Sequence, residues 1–150
     1  MKTAIIYTSK YGMTEKLASI IVRYRTDVHL FHIDDFDKNL NDYDEIVLGT
    51  PIYAGRINKK VKRLLESNEE LLLNKSLIVF LCGMASDNEK QVINENFSMK
   101  IIYHAKIKYV GGAYQFNKMN FLFKFIVKRI AKSDQDQEVI LHDNIDFLMN

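Results

Sequence analysis

The chain has 150 residues, 47% of them hydrophobic and 27% charged, which suits one soluble domain with a core between two helical layers and argues against a second domain. Its formal net charge of +2 is too mild to signal nucleic-acid binding without a local cluster, so no nucleic-acid partner is expected. The single cysteine, Cys82, excludes an intramolecular disulfide and a cysteine-rich metal site, and it fits a reducing cytoplasm.

From the N-terminus, Lys2 to Tyr7 is an apolar, β-rich run, too short for the core of a secretory signal, and it reads as a strand. Thr8-Ser9-Lys10-Tyr11-Gly12-Met13-Thr14 is a polar turn, with Thr14 as the expected N-cap of a helix in which Leu17, Ile20, Ile21 and Tyr24 recur at helical spacing. Val28 to Ile33 reads as a second strand, and Asn41 to Asp44 as a turn. Glu45 to Gly49 is then a third strand buried on both faces. The loop Thr50 to Arg56 contains the only proline. Beyond it Ile57, Val61, Leu64 and Leu65 make one helix face against Lys59, Lys60, Lys62 and Arg63.

Ser76 to Leu81 is the clearest buried strand, ending at Cys82-Gly83-Met84, and a helix is expected over Asp87 to Phe97. Ala105 to Tyr114 reads as a strand broken by Gly111-Gly112. Met119 to Lys132 reads as a helix, and Leu141 to Met149 as a short one. Within the long helix Met119, Leu122, Phe123, Ile126, Val127 and Ile130 form an apolar arc. Phe121 and Phe125 fall instead among Lys124, Lys128, Arg129 and Lys132, either a solvated face or a surface for peripheral membrane contact or an acidic partner. None of the four histidines shows metal-ligand spacing, so no metal site is assigned, and no residue is placed as a general acid or base, so no catalytic residue is assigned.

Strands alternating with helices at short intervals imply βαβ units, hence an α/β three-layer doubly wound sandwich around a five-stranded parallel sheet. Ligands of such sheets sit beyond the carboxyl ends of the strands, where this chain has its loops Thr8 to Thr14, Thr50 to Arg56 and Cys82 to Ser86. The first loop delivers hydroxyls, a glycine and a helix N-terminus to one point, an arrangement that suits a phosphate, with Lys10 adding charge.

Ile5 to Ala18, with Thr8, Ser9, Gly12, Thr14 and Ala18 in register, resembles the flavodoxin signature, although Ser19 stands where an aliphatic residue is usual. The resemblance implies strand order 2-1-3-4-5 and an FMN cofactor whose phosphate is cradled by Ser9, Lys10, Gly12, Met13 and Thr14, with Thr8 and Tyr11 also among the cofactor-binding residues. Thr50, Pro51, Ile52, Tyr53, Ala54 and Gly55 resemble the loop flanking the isoalloxazine, where Tyr53 would lie on the ring or else pack on a neighbouring helix. Gly55 would let a peptide reorient toward the flavin. Cys82, Gly83 and Met84 would supply a third wall.

Lys108 to Tyr114 and the basic helix after it resemble the branch that includes menaquinone-dependent protoporphyrinogen oxidase, but the long insertion characteristic of that enzyme is missing between strands four and five. The implied function is electron transfer with a redox partner protein or a quinone, as a carrier or as an oxidoreductase. Lys10, Arg56, Lys59 and Lys60 near the flavin would make its reduction easier than in carboxylate-lined relatives. A phosphoacceptor domain lacks its acidic pair here, and a dinucleotide domain its G-x-G-x-x-G. A flavin-free interaction module remains, and the colour of the purified protein would test it.

Overall fold

The computed structural model describes residues 1–10, 12–83, 89–114 and 137–140. The expected helices over Met119 to Lys132 and Leu141 to Met149 lie outside them. Five parallel strands, β1 (Thr3–Tyr7), β2 (Val28–His32), β3 (Glu45–Pro51), β4 (Ser76–Cys82) and β5 (Lys106–Tyr114), stand in the order 2-1-3-4-5. A sixth strand, β6 (Gln137–Ile140), which the sequence reading did not anticipate, pairs antiparallel with β5 from Gly111↔Ile140 to Tyr114↔Gln137. The pair Gly111-Gly112 does not break β5. The irregularity is absorbed as a register shift, with Leu81 opposite Tyr109 and Cys82 opposite Gly111.

Successive residues of a strand face opposite sides, which splits the central apolar runs between two cores. On one side Ile5, Val47, Ile78 and Phe80 pack against Leu17, Ala18 and Ile21 of α1 (Met13–Tyr24). On the other, Ile6, Ile46, Leu48, Val79 and Leu81 meet Val61 and Leu65 of α2 (Lys59–Ser67), Leu72 of α3 (Glu69–Leu72), Val92 of α4 (Glu89–Asn96) and Ile101 of α5 (Met99–His104). Each fully buried aliphatic side chain contributes roughly 1.5–3 kcal/mol, so the two layers hold the sheet without help from a disulfide. Helices α3 and α5 are additions to the sequence reading. Ser98 makes α5 possible, because its hydroxyl accepts the Ile101 amide at 3.3 Å.

The amino end of the sheet is fastened by one carboxylate. Glu45, 4% exposed, accepts from Thr3 Oγ1 (3.1 Å), Ser76 Oγ (2.9 Å) and the Arg25 guanidinium, joining β1, β3, β4 and the chain just after α1. Three donors on one buried anion meet the requirement that a buried charge be paired and hydrogen-bonded.

Candidate functional site

The chain leaves β1 at Thr8, whose amide still bonds the Gly49 carbonyl (3.0 Å), and turns at Ser9, which accepts the Gly12 amide on Oγ at 3.0 Å. Gly12 has φ +98, a left-handed conformation that glycine adopts without steric cost, and it is the N-cap of α1. Thr14 is therefore not the cap the sequence suggested. The left-handed turn at Gly12 starts the helix two residues earlier and carries Thr14 into the core, 1% exposed, where its hydroxyl meets the Cys82 thiol. The Gly12 carbonyl takes the first intrahelical bond, from the Lys16 amide at 3.0 Å. The amides of Met13, Thr14 and Glu15 thus have no acceptor inside the helix, and Gly12 as the N-cap has no side chain to cap them. That cluster of donors at a helix N-terminus is the feature that attracts a phosphate.

A second loop faces the first. Tyr53 and Arg56 exchange both backbone hydrogen bonds at 3.0 Å across Ala54 (φ +51) and Gly55 (φ +75), a two-residue turn with both central residues left-handed. The Ile52 amide bonds the Cys82 carbonyl (2.8 Å), which ties this loop to the end of β4. Thr50, fully buried, accepts the Asn58 amide on Oγ1 (3.1 Å), and Asn58 caps α2 by accepting the Lys60 amide (2.8 Å). Between the loops lies a cavity of about 690 Å³ lined by Thr8, Ser9, Lys10, Pro51, Tyr53, Ala54, Arg56, Ile57, Asn58 and Lys59. This is the size of a cofactor pocket. Tyr53 is 47% exposed, and the Lys10 ammonium sits 3.5 Å from its ring centroid, joining the two loops across the cavity.

Six of the expected residues, Thr8, Ser9, Lys10, Pro51, Tyr53 and Ala54, share this cavity. Gly12, Met13 and Thr14 form the helix start that follows the first loop, Thr50, Ile52, Gly55 and Cys82 tie down the second loop through hydrogen bonds, and Gly83 follows Cys82 at the end of β4. Tyr11 and Met84 lie outside the described residues. Lys60 is drawn away from the site by an ion pair with Asp34, whose carboxyl it holds below the usual range. The local cations are therefore Lys10, Arg56 and Lys59.

Asn96, which the sequence reading passed over, is buried and binds the second loop at two points: Nδ2 donates to the Gly55 carbonyl (2.9 Å) and Oδ1 accepts the Ile57 amide (3.1 Å). Its only signal in sequence is an asparagine ending a helix. Asn96→Ala strands both backbone groups and is expected to cost about 1–3 kcal/mol in a urea melt.

Burial pushes the Cys82 thiol up to about 12, with the Thr14 contact pulling the other way. The thiol is therefore neutral in the folded chain, and native Cys82 is expected to react with iodoacetamide at about pH 8 roughly 1,000-fold more slowly than in urea. Rapid native alkylation would contradict the burial. Because the folded value is the higher one, this group's contribution to stability is complete below the unfolded value near 9 and declines as pH rises from there toward 12.

A doubly wound parallel sheet with a helix N-terminus and an open cavity at its carboxyl edge has the layout of the α/β domains that bind ligands at that edge. Residues 4–139 match the family model described as Flavodoxin domain, and the chain belongs to that family. It is 31% identical over 83 residues to a flavodoxin from Clostridium saccharobutylicum, covering 51% of this chain and 52% of the other, so the match takes in about half the length of that relative. A flavoprotein from Lactobacillus acidophilus solved in complex with FMN superposes with a TM-score of 0.55 at 20% identity, over 74% of this chain and 92% of that one. The rubredoxin oxygen:oxidoreductase of Desulfovibrio gigas gives 0.58 at 19% identity, over 87% of this chain and 34% of that one. At such identities the structural likeness is one of fold.

Proposed function

We propose that this chain, as a single domain, binds FMN in the cleft between the loops at Thr8–Thr14 and Thr50–Lys59 and passes electrons through it between redox partner proteins or quinones. Membership of the flavodoxin family and the FMN-bound neighbour support the cofactor. The observation that carries the reading is the helix start itself: the Ser9 hydroxyl accepts the Gly12 amide, a left-handed Gly12 caps α1, and the amides of Met13, Thr14 and Glu15 open the helix directly after the loop whose Thr8, Ser9 and Lys10 line the cavity. Bound there, FMN supplies one- and two-electron chemistry. The chain holds the phosphate, presents Tyr53 to the ring, and sets the potential. No side chain is assigned as acid or base.

The test is to titrate dialysed apoprotein with FMN, following quenching of flavin fluorescence, and to identify the flavin released by heat from the purified protein. Saturable micromolar or tighter binding is expected; no binding, with a colourless preparation, ends the redox reading. A neutral cleft lining would leave the potential where carboxylates do not depress it. The cations Lys10, Arg56 and Lys59, with no carboxylate among the described lining residues, raise it further. Arg56→Glu is expected to shift reduction of bound flavin tens of millivolts more negative, at about 30 mV per 1.4 kcal/mol for a two-electron couple.

The carrier role is the preferred one. A quinone-linked oxidase acting on protoporphyrinogen is the alternative, which the resemblance of Lys108 to Tyr114 favours and the short crossover through α4 and α5 disfavours. Turnover of protoporphyrinogen with menaquinone would reverse the preference. No helix among the described residues is long and apolar enough to cross a membrane, and a cytoplasmic location is proposed with the carrier role.

A further inference from the structure

We propose that the rim of the cleft is a docking surface for the acidic face of a redox partner protein, an inference that rests on the FMN reading above. Arg56 and Lys59 are exposed at the cavity, on the segment that leads into α2, and neither side chain has an ion-pair partner among the described residues. Lys60, one residue on, is neutralised by Asp34, so the positive field is concentrated on the cleft side of this segment. Along α2, Arg63 follows Lys59 at the i+4 position and continues the same exposed face, whereas Lys62 at i+3 borders a groove that also holds Glu66, Glu69 and Glu95 and adds little to the net charge there. Val61 and Leu65 point into the core.

The rim is thus a short basic stripe running up to the mouth of the electron-transfer site. A membrane is the poorer fit. An interfacial surface needs apolar side chains to insert, and among the described residues Tyr53 is the only large exposed hydrophobic at this rim. A rim of like charges acts chiefly on the rate of encounter: it steers an oppositely charged partner, and salt weakens it. That suits a carrier, which must dock briefly and leave.

The test reads the sign of the charge felt at the point where electrons leave. FMN-loaded protein, photoreduced without oxygen, is mixed in a stopped-flow instrument with ferricyanide, a trianion, or with hexaammineruthenium(III), a trication. Each oxidant takes one electron, so two equivalents return the flavin to its oxidised form while its protons pass to the buffer. The ferricyanide rate constant is expected to fall roughly tenfold between about 10 mM and about 300 mM salt, and the ruthenium rate constant to rise. Arg56→Glu with Lys59→Glu is expected to reverse both trends. A change in flavin potential would move both oxidants in the same direction, so opposite movement isolates the field.

Lys100→Glu with Lys106→Glu carries the same change in net charge on α5 and at the amino end of β5, away from the cleft, and is expected to leave both rates within about twofold. A readout free of redox chemistry is the binding of fluorescein-labelled oligoglutamate to the apoprotein by anisotropy. The rim pair is expected to weaken it about tenfold and the distant pair hardly at all. Salt trends that survive the rim substitutions, or oligoglutamate binding that the two pairs lower equally, overturn the proposal. Tighter binding to phosphatidylglycerol vesicles than to oligoglutamate overturns it in favour of a membrane. Failure to load FMN would instead count against the cofactor reading, and the peptide arm would still report on the rim.

Discussion

Gly12→Val is expected to weaken FMN binding by roughly 100-fold, about 2.7 kcal/mol, while riboflavin binding stays within about threefold of its original value. The backbone at Gly12 has φ +98, where a β-branched residue is strained by about 1–3 kcal/mol, and the chain relieves the strain by letting the turn rotate. Rotation breaks the Ser9 bond to the Gly12 amide and swings the donors of Met13, Thr14 and Glu15 away from a common point. A hydrogen bond to a charged oxygen contributes about 1.5–3 kcal/mol, so misaiming one or two of them accounts for the whole loss. Riboflavin has the ring and the ribityl chain but no phosphate, so it reports on the rest of the cleft. Ser9→Ala removes the tether without the strain and should lie between the two, near fivefold to tenfold. Titration of each variant with both flavins decides the matter: a parallel loss of FMN and riboflavin would mean a collapsed site, and undiminished FMN binding would mean that the phosphate lies elsewhere.

What the sequence made legible and what it concealed divide by range of interaction. The runs Ile5-Ile6, Ile46-Val47-Leu48 and Leu77 to Leu81 announce central strands because both faces are apolar, and from three such strands with helices between them a parallel sheet and its loop edge follow, while the strand order is legible only through the flavodoxin resemblance of Ile5 to Ala18. Thr14 misled because threonine is a favoured cap and its alternative, a left-handed glycine two residues earlier, depends on a backbone angle that composition does not display. Lys60 sits beside Lys59 in sequence but is neutralised by Asp34 from the segment after β2, and Asn96 reaches the Gly55 carbonyl from 41 positions away. Pairings of this kind are decided by how the layers stack. Strand β6 was hidden for a related reason: Gln137-Glu138 carries no apolar alternation, and its pairing is supplied by β5.

The stacking also makes one glycine far more sensitive than its sequence context suggests. Gly49→Ala is expected to destabilise the protein by about 3 kcal/mol, the upper end of the range for an overpacked core, and to lower Tm by roughly 6–12 °C. Gly49 lies in β3 between Tyr7 and Phe80 of the neighbouring strands, and a Cβ placed there would stand 2.2 Å from Phe80 Cζ and under 3 Å from both adjoining ring carbons. The ring cannot yield outward, because Phe80 is fully buried in the cluster that includes Met13 and Leu17 of α1. The cluster it would press on includes Met13, in the first turn of α1, so FMN affinity is expected to fall along with stability. Phe80→Leu removes the ring atoms in conflict. In the double variant the Gly49→Ala penalty should shrink by about 1–2 kcal/mol relative to the sum of the single changes, a coupling expected only between side chains in direct contact. Urea melts of the four proteins measure it. Additive losses, or a Gly49→Ala protein within about 0.5 kcal/mol of the parent, would mean that β3 and β4 slide apart to admit the methyl group and that the close approach of Phe80 to the Gly49 backbone does not govern the packing under α1.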